Sequence, residues 1–123
     1  MQPQIIVLIL LAHYVADFLL QSRYMADNKS HRFDVLSFHV SIYGMMLTLI
    51  LFPIFMYAGV PAFDTAVYLL LNTILHLITD YFTSKASSRA FSDKNIYKGM
   101  AIIGFDQFIH STCLLVSYLL LLV

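Results

Sequence analysis

The segment Ile5-Ile6-Val7-Leu8-Ile9-Leu10-Leu11-Ala12-His13-Tyr14-Val15-Ala16-Asp17-Phe18-Leu19-Leu20-Gln21 decides how the chain is read. It is an apolar run of spanning length, interrupted by a histidine and an aspartate four residues apart. A membrane span needs about 20 mainly apolar residues. An ionisable side chain within one is costly, so it is a functional-site hypothesis by default. The same spacing recurs in two later apolar runs, as His76 and Asp80 and, in reverse order, as Asp106 and His110. His39 stands alone in the remaining run.

Composition agrees with a membrane protein. Hydrophobic residues make up 60% of the 123 residues and charged ones 11%. Mean hydropathy is +0.80. A soluble domain carries about a quarter charged residues, so this chain has too little charge to cover a water-facing surface. Net charge is zero, there is no basic arm, and no nucleic-acid partner is expected. Cys113 is the sole cysteine, which excludes an intrachain disulfide and a thiolate-rich zinc site. The N-terminal run lacks a positive n-region and a small-residue cleavage site, and reads as a retained first span.

Four spans are predicted, at about Gln4 to Tyr24, Asp34 or Val35 to the neighbourhood of Tyr57, Ala62 to Ser84 or a little beyond, and Gly99 to Val123. Pro3 suits a helix start, and Ala58-Gly59-Val60-Pro61 is a stop-and-turn signal. The expected fold is all-α, a single four-helix up-down transmembrane bundle over residues 1–123. Met25 to Phe33 and Lys85 to Lys98 are expected as polar connections. All seven cations flank those two: Arg23, Lys29 and Arg32, then Lys85, Arg89, Lys94 and Lys98. The positive-inside rule makes that face cytoplasmic. The expected location is the bacterial inner membrane, multi-pass, with both termini outside.

Orientation gives the pairs a common depth. Residues four apart share a helix face and are separated by about 6 Å along the axis. Spans one and three run toward the charged end and place His before Asp. Span four runs away from it and places Asp before His. In all three, Asp lies nearer the charged end and His deeper, and His39 enters at a compatible depth. Gln21, Asn72 and Ser84 extend these stripes, while Gln107 is read as an interface residue and His31 as a solvated loop residue.

Four imidazoles and three carboxylates on facing helices are metal-ligand chemistry, and helix bundles build dinuclear sites from such inward pairs. The predicted ligands are His13, Asp17, His39, His76, Asp80, Asp106 and His110, for one or two divalent ions, with zinc first. Asp17, Asp80 and Asp106 are also the candidate catalytic carboxylates, as bridges or general base. Lys29, Arg32 and Lys85 are candidates for holding an anionic head group. A metal-dependent hydrolase acting on a lipid-linked or phosphoester substrate at the cytoplasmic side is the leading expectation. The competing one is non-enzymatic: metal or proton translocation, or a subunit or assembly factor of a larger membrane complex. A buried structural His/Asp network is the bland reading. Membrane lipid is the expected partner, and a homo-oligomer or a larger complex is compatible.

The motif His13-Tyr-Val-Ala-Asp17-Phe-Leu-Leu-Gln21 with Met25 and Lys29, then His39, His76-Leu-Ile-Thr-Asp80 with Lys85, and Asp106-Gln107-Phe-Ile-His110, resembles a family of small bacterial and phage membrane proteins of unknown function. It is more distantly similar to membrane proteins classed as metal-dependent hydrolases. The resemblance covers nearly the whole chain, and it implies a metal site more than any particular reaction.

Overall fold

The computed structural model describes residues 2–123. Helix α1 runs Pro3–Tyr14 and continues as one wide π turn, Val15–Leu19. The short helix α2 is Arg23–Asn28, and three long helices follow: α3 (Phe33–Tyr57), α4 (Ala62–Ser92) and α5 (Ile96–Leu121). No strand occurs among the described residues. Helix α4 packs along α3 and α5, α1 closes the bundle against α3 and α5, and α2 rests on α3. The fold is therefore all-α, a bundle of four antiparallel rods with α2 as a bracket after the first. Helices α3, α4 and α5 are long and apolar enough to cross a membrane, and Pro3–Leu19 is a shorter apolar helix.

The turn between α3 and α4 follows the sequence signal closely. Gly59 takes φ +81°, a conformation that costs glycine least. Val60 N–H donates to Phe55 O at 2.9 Å and Gly59 N–H to Met56 O at 3.1 Å. These two bonds satisfy carbonyls that the end of α3 would leave open.

Two expected boundaries are corrected. The first rod was expected to reach Tyr24 but ends at Leu19. Leu20 N–H donates to Val15 O, five residues back, at 3.2 Å. Ser22 then takes extended backbone, and its Oγ accepts from Met25 N–H at 3.2 Å to cap α2. Serine caps this way because its oxygen replaces a missing intrahelical acceptor. Gln21 falls in the break and leaves the His13/Asp17 stripe.

The third connection is the second correction. Helix α4 continues through Ser92, so a polar loop over Lys85 to Lys98 shrinks to three residues. Lys85, Ala86, Arg89 and Ala90 are good or acceptable helix formers. Their polarity marks departure from apolar surroundings, not the end of the helix. Lys94 sits at φ 59°, Asn95 N–H donates to Ala90 O at 2.9 Å, and Asn95 Oδ1 accepts from Lys98 N–H at 3.1 Å to start α5.

The interior has two halves built on continuous stripes. On α3 the buried positions His39, Tyr43, Leu47, Leu51 and Phe55 recur every four residues. On α5 they are Asp106, His110, Leu114 and Tyr118. On α4 they include Tyr68, Asn72, His76, Asp80 and Ser84. Toward the α3–α4 turn the stripes meet as an apolar core of Ile5, Ile9, Leu47, Leu51, Phe55, Tyr68, Leu114 and Tyr118. Toward the charged end the same stripes turn polar. Gly44 lets α3 approach α4 closely: a Cβ there would meet the Thr73 side chain at 2.8 Å. That contact lies five residues from His39 and three from His76, so it helps set their separation.

Candidate metal centre

Four buried donors from three rods converge first. His39 Nε2 lies 3.2 Å from Asp17 Oδ1, 3.3 Å from Asp80 Oδ2 and 3.2 Å from His76 Nε2. His76 Nε2 lies 3.6 Å from each of the same two oxygens. None of the four residues is more than 3% exposed. A tetrahedron with bonds of 2.0–2.1 Å has edges of about 3.3–3.4 Å, and the five measured separations bracket that value. Asp17, His39, His76 and Asp80 thus form a group that could hold a metal ion.

Proton counting supports the fit. His39 Nε2 carries at most one proton yet faces two carboxylate oxygens and a second ring nitrogen. One proton cannot satisfy three such neighbours, whereas a cation among the four donors meets all of them. Asp17, Asp80 and Asp106 are buried, and Lys29 is the cation that reaches them, with Nζ donating to Asp80 Oδ2 at 2.7 Å. With the histidines neutral, as metal ligands must be, three ionised carboxylates against one ammonium leave two negative charges, which a single divalent ion would cancel; protonated His39 and His110, each 3.2–3.3 Å from a carboxylate, would cancel them in its absence. Buried charge without such compensation is strongly unfavourable.

A second group comprises Asp17, Asp106 and His110. His110 Nε2 lies 3.3 Å from Asp106 Oδ1 and 3.3 Å from Asp80 Oδ1. Thr83 Oγ1 donates to Asp106 Oδ1 at 2.5 Å. Gln107 Nε2 donates to Asp17 Oδ2 and to Asp106 Oδ2, both at 3.0 Å.

His13 lies outside both groups. Its Nε2 is 3.0 Å from Gln107 Oε1 and its Nδ1 is 3.3 Å from Tyr43 Oη. The pattern is met when Nε2–H donates to the amide oxygen and the Tyr43 hydroxyl donates to Nδ1. His13 then orients Gln107, which in turn fixes Asp17 and Asp106. Gln107, read from sequence as an interface residue, is instead the bridge of the cluster. Its neighbour Asp106 was the available signal: adjacent helix residues point about 100° apart, yet both side chains reach the cluster. Tyr43, four residues after His39, was likewise missed. It stacks on the His76 ring at 3.8 Å between centroids and 8° between planes. His76 Nδ1 has no hydrogen-bond partner.

Helix rise separates the Cα atoms of each pair, but the side chains lean together and their ends interleave. The carboxylates still face the charged end. Asp17, Asp80 and Asp106 line a cavity of about 300 Å³ that opens there, together with Gln21, Lys29, Thr83, Ser84 and Gln107. The imidazoles lie behind them. Gln21 Oε1 and Ser84 Oγ are buried against this cavity without partners.

Lys29, Arg32 and Lys85 line a neighbouring depression of about 340 Å³ with His31, Phe33 and Tyr81. Lys29 borders both cavities. Arg32 pairs with Asp34 at 2.7 Å and donates to Tyr24 Oη at 2.7 Å. The Asp34 carboxylate beside it raises the Arg32 guanidinium above its ordinary value. Lys85 Nζ sits 4.2 Å from the Tyr81 ring centroid. His31 is exposed, as expected of a loop residue.

An all-α bundle of spanning helices with buried His/Asp groups that could hold a metal ion defines the class: a membrane protein with a candidate metal centre. Within that class the match is specific. A family model described as "Protein of unknown function (DUF3307)" matches residues 5–123, and the chain belongs to that family. No curated protein and no solved structure matches the chain.

Proposed function

We propose that this chain is a metal-dependent hydrolase of the bacterial inner membrane, acting from the cytoplasmic side on a lipid-linked phosphoester. The observation that carries the reading is the Asp17/His39/His76/Asp80 group, five of whose donor separations, 3.2–3.6 Å, bracket the edge of a zinc tetrahedron. Zinc is the first choice because two imidazoles and two carboxylates suit it. A divalent ion there would lower the pKa of water and polarise a phosphoryl oxygen.

The chain's own residues divide the remaining work. Asp106 faces the cavity, its carboxylate oriented by the Thr83 and Gln107 donors, and serves there as general base, or as a ligand where a second ion is bound. Asp17 and Asp80 serve as ligands. Lys29, Arg32 and Lys85 place positive charge beside the opening, where an anionic head group at the cytoplasmic surface would sit. The apolar outer faces keep lipid as the protein's immediate partner.

A polar thread through the deeper half favours a second reading, metal or proton translocation. Asn72 Nδ2 donates to Ser117 Oγ at 2.8 Å, one turn beyond His76, and Asn72 Oδ1 and Thr65 Oγ1 are buried without partners.

The test begins with mass spectrometry of bound metal on detergent-purified protein, beside His76→Ala. The proposal expects stoichiometric metal in the parent and its loss in the variant; negligible metal in both would sink it. Phospholipid and lipid-phosphate substrates are then screened for metal-dependent turnover. No product, together with metal-dependent ion flux in liposomes, would favour translocation.

A further inference from the structure

Each carboxylate has two oxygens; Asp80 divides its two between neighbouring pockets, and Asp17 belongs to both donor groups. Asp80 turns Oδ2 to His39 and His76 and Oδ1 to His110. Asp17 turns Oδ1 to His39 and His76, and it also belongs to the group with Asp106 and His110. The His76 and His110 rings lie 4.2 Å apart between centroids, so the two pockets share a wall. Carboxylates shared this way are how proteins hold two ions close together, about 3.5–4 Å apart.

In both pockets the carboxylates line the open cavity, Asp17 and Asp80 for the first and Asp17 and Asp106 for the second, and the imidazoles do not. The two pockets differ in charge. One divalent ion with Lys29 already cancels the three carboxylates. A second ion therefore brings two surplus positive charges into a buried place, and such charge is held only with a compensating anion. The cavity beside it offers the unpartnered Ser84 hydroxyl as a donor to such an anion.

Resting on the metal reading above, we propose a second, weaker divalent-cation site at Asp17, Asp106 and His110, which shares the Asp17 carboxylate with the first and fills together with a phosphoryl anion. The first ion would be resident and the second would arrive with substrate. The donors of the second site are one imidazole and carboxylates, a harder set than the first, so it would also accept Mn²⁺.

The experiment is a metal titration of the full chain in detergent with Zn²⁺, with and without inorganic phosphate, and the same with Mn²⁺ followed by electron paramagnetic resonance. The proposal expects one tightly held ion, then a second whose binding tightens in phosphate, with the Mn²⁺-loaded protein giving the signal of an exchange-coupled pair. His110→Ala and Asp106→Asn should each keep the first ion and weaken the second by more than about 10-fold. Circular dichroism checks that both variants fold, and Asp106→Asn reports alone if His110→Ala does not. Saturation at one ion, with or without phosphate, would overturn the second site and leave the first intact. Two ions undisturbed by either variant would also overturn it. No bound ion in the parent protein would remove both readings together.

Discussion

At the residue scale, the centre is a contest for donors and protons. His39 Nε2 has one proton for three neighbours, and in the proposed function a cation would meet all three together. Histidine ligands must be neutral to bind, so metal binding releases protons and weakens on acidification. Metal retained after dialysis should therefore fall as the buffer is taken from about pH 8 toward about pH 5; retention unchanged over that range would speak against imidazole ligation. Gln107 offers a separate check. It bridges His13, Asp17 and Asp106 through three contacts of 3.0 Å. Gln107→Leu should leave the donors in place but lower metal affinity by about 10–100-fold, the usual cost of removing an orienting partner. An affinity within two-fold of the parent, by competition with a zinc chelator, would show that Gln107 does not orient the site.

At the scale of helices and turns, positioning depends on where rods end and how closely they approach. The π turn at Val15–Leu19 ends the first rod beside Asp17. Such turns are rare and concentrate at functional sites. Lys94 holds the left-handed conformation in a three-residue link, which costs a non-glycine residue about 1–2 kcal/mol. Lys94→Gly should therefore raise stability by roughly 1 kcal/mol, read as a higher midpoint of thermal unfolding in detergent; a lower midpoint would contradict the backbone argument. Gly44 tests the opposite effect. Gly44→Val forces α3 away from Thr73 and so moves His39 relative to His76. Metal affinity should fall while helix content by circular dichroism stays unchanged, and metal binding at the parent level would show that the close approach is dispensable.

For the whole molecule, the prediction concerns orientation in the membrane. Single cysteines in a Cys113→Ala background, at Ser88 on the α4 extension and at Asp64 near the α3–α4 turn, should react from opposite sides. A membrane-impermeant thiol reagent added to intact cells should label Asp64→Cys and spare Ser88→Cys. The reverse pattern would invert the topology and place the cavity's mouth outside. Metal also links site to fold, because its binding free energy adds to the stability of the folded bundle. Chelator treatment should lower the unfolding midpoint of the parent and leave that of His76→Ala unmoved.

Much of this was legible in the residues alone. Four apolar stretches, separated by clustered cations and a Gly59-Val60-Pro61 turn, read as helices in lipid because only intrasegment hydrogen bonds satisfy the backbone there, although the first folds as the shorter helix Pro3–Leu19 and three are long enough to cross. The four-residue His/Asp spacing, reversed in the last rod, required these side chains to meet at one depth. The register of their meeting was not legible. Where polar sequence stays helical, as over Lys85 to Ser92, composition cannot mark the helix end. The π turn that sheds Gln21, the partnering of His13 by Gln107 and Tyr43, and the sharing of Asp17 between two donor groups depend on side chains from different rods. Periodicity within one rod says which face is buried. Only the packed bundle decides which atom on that face meets which atom on the next.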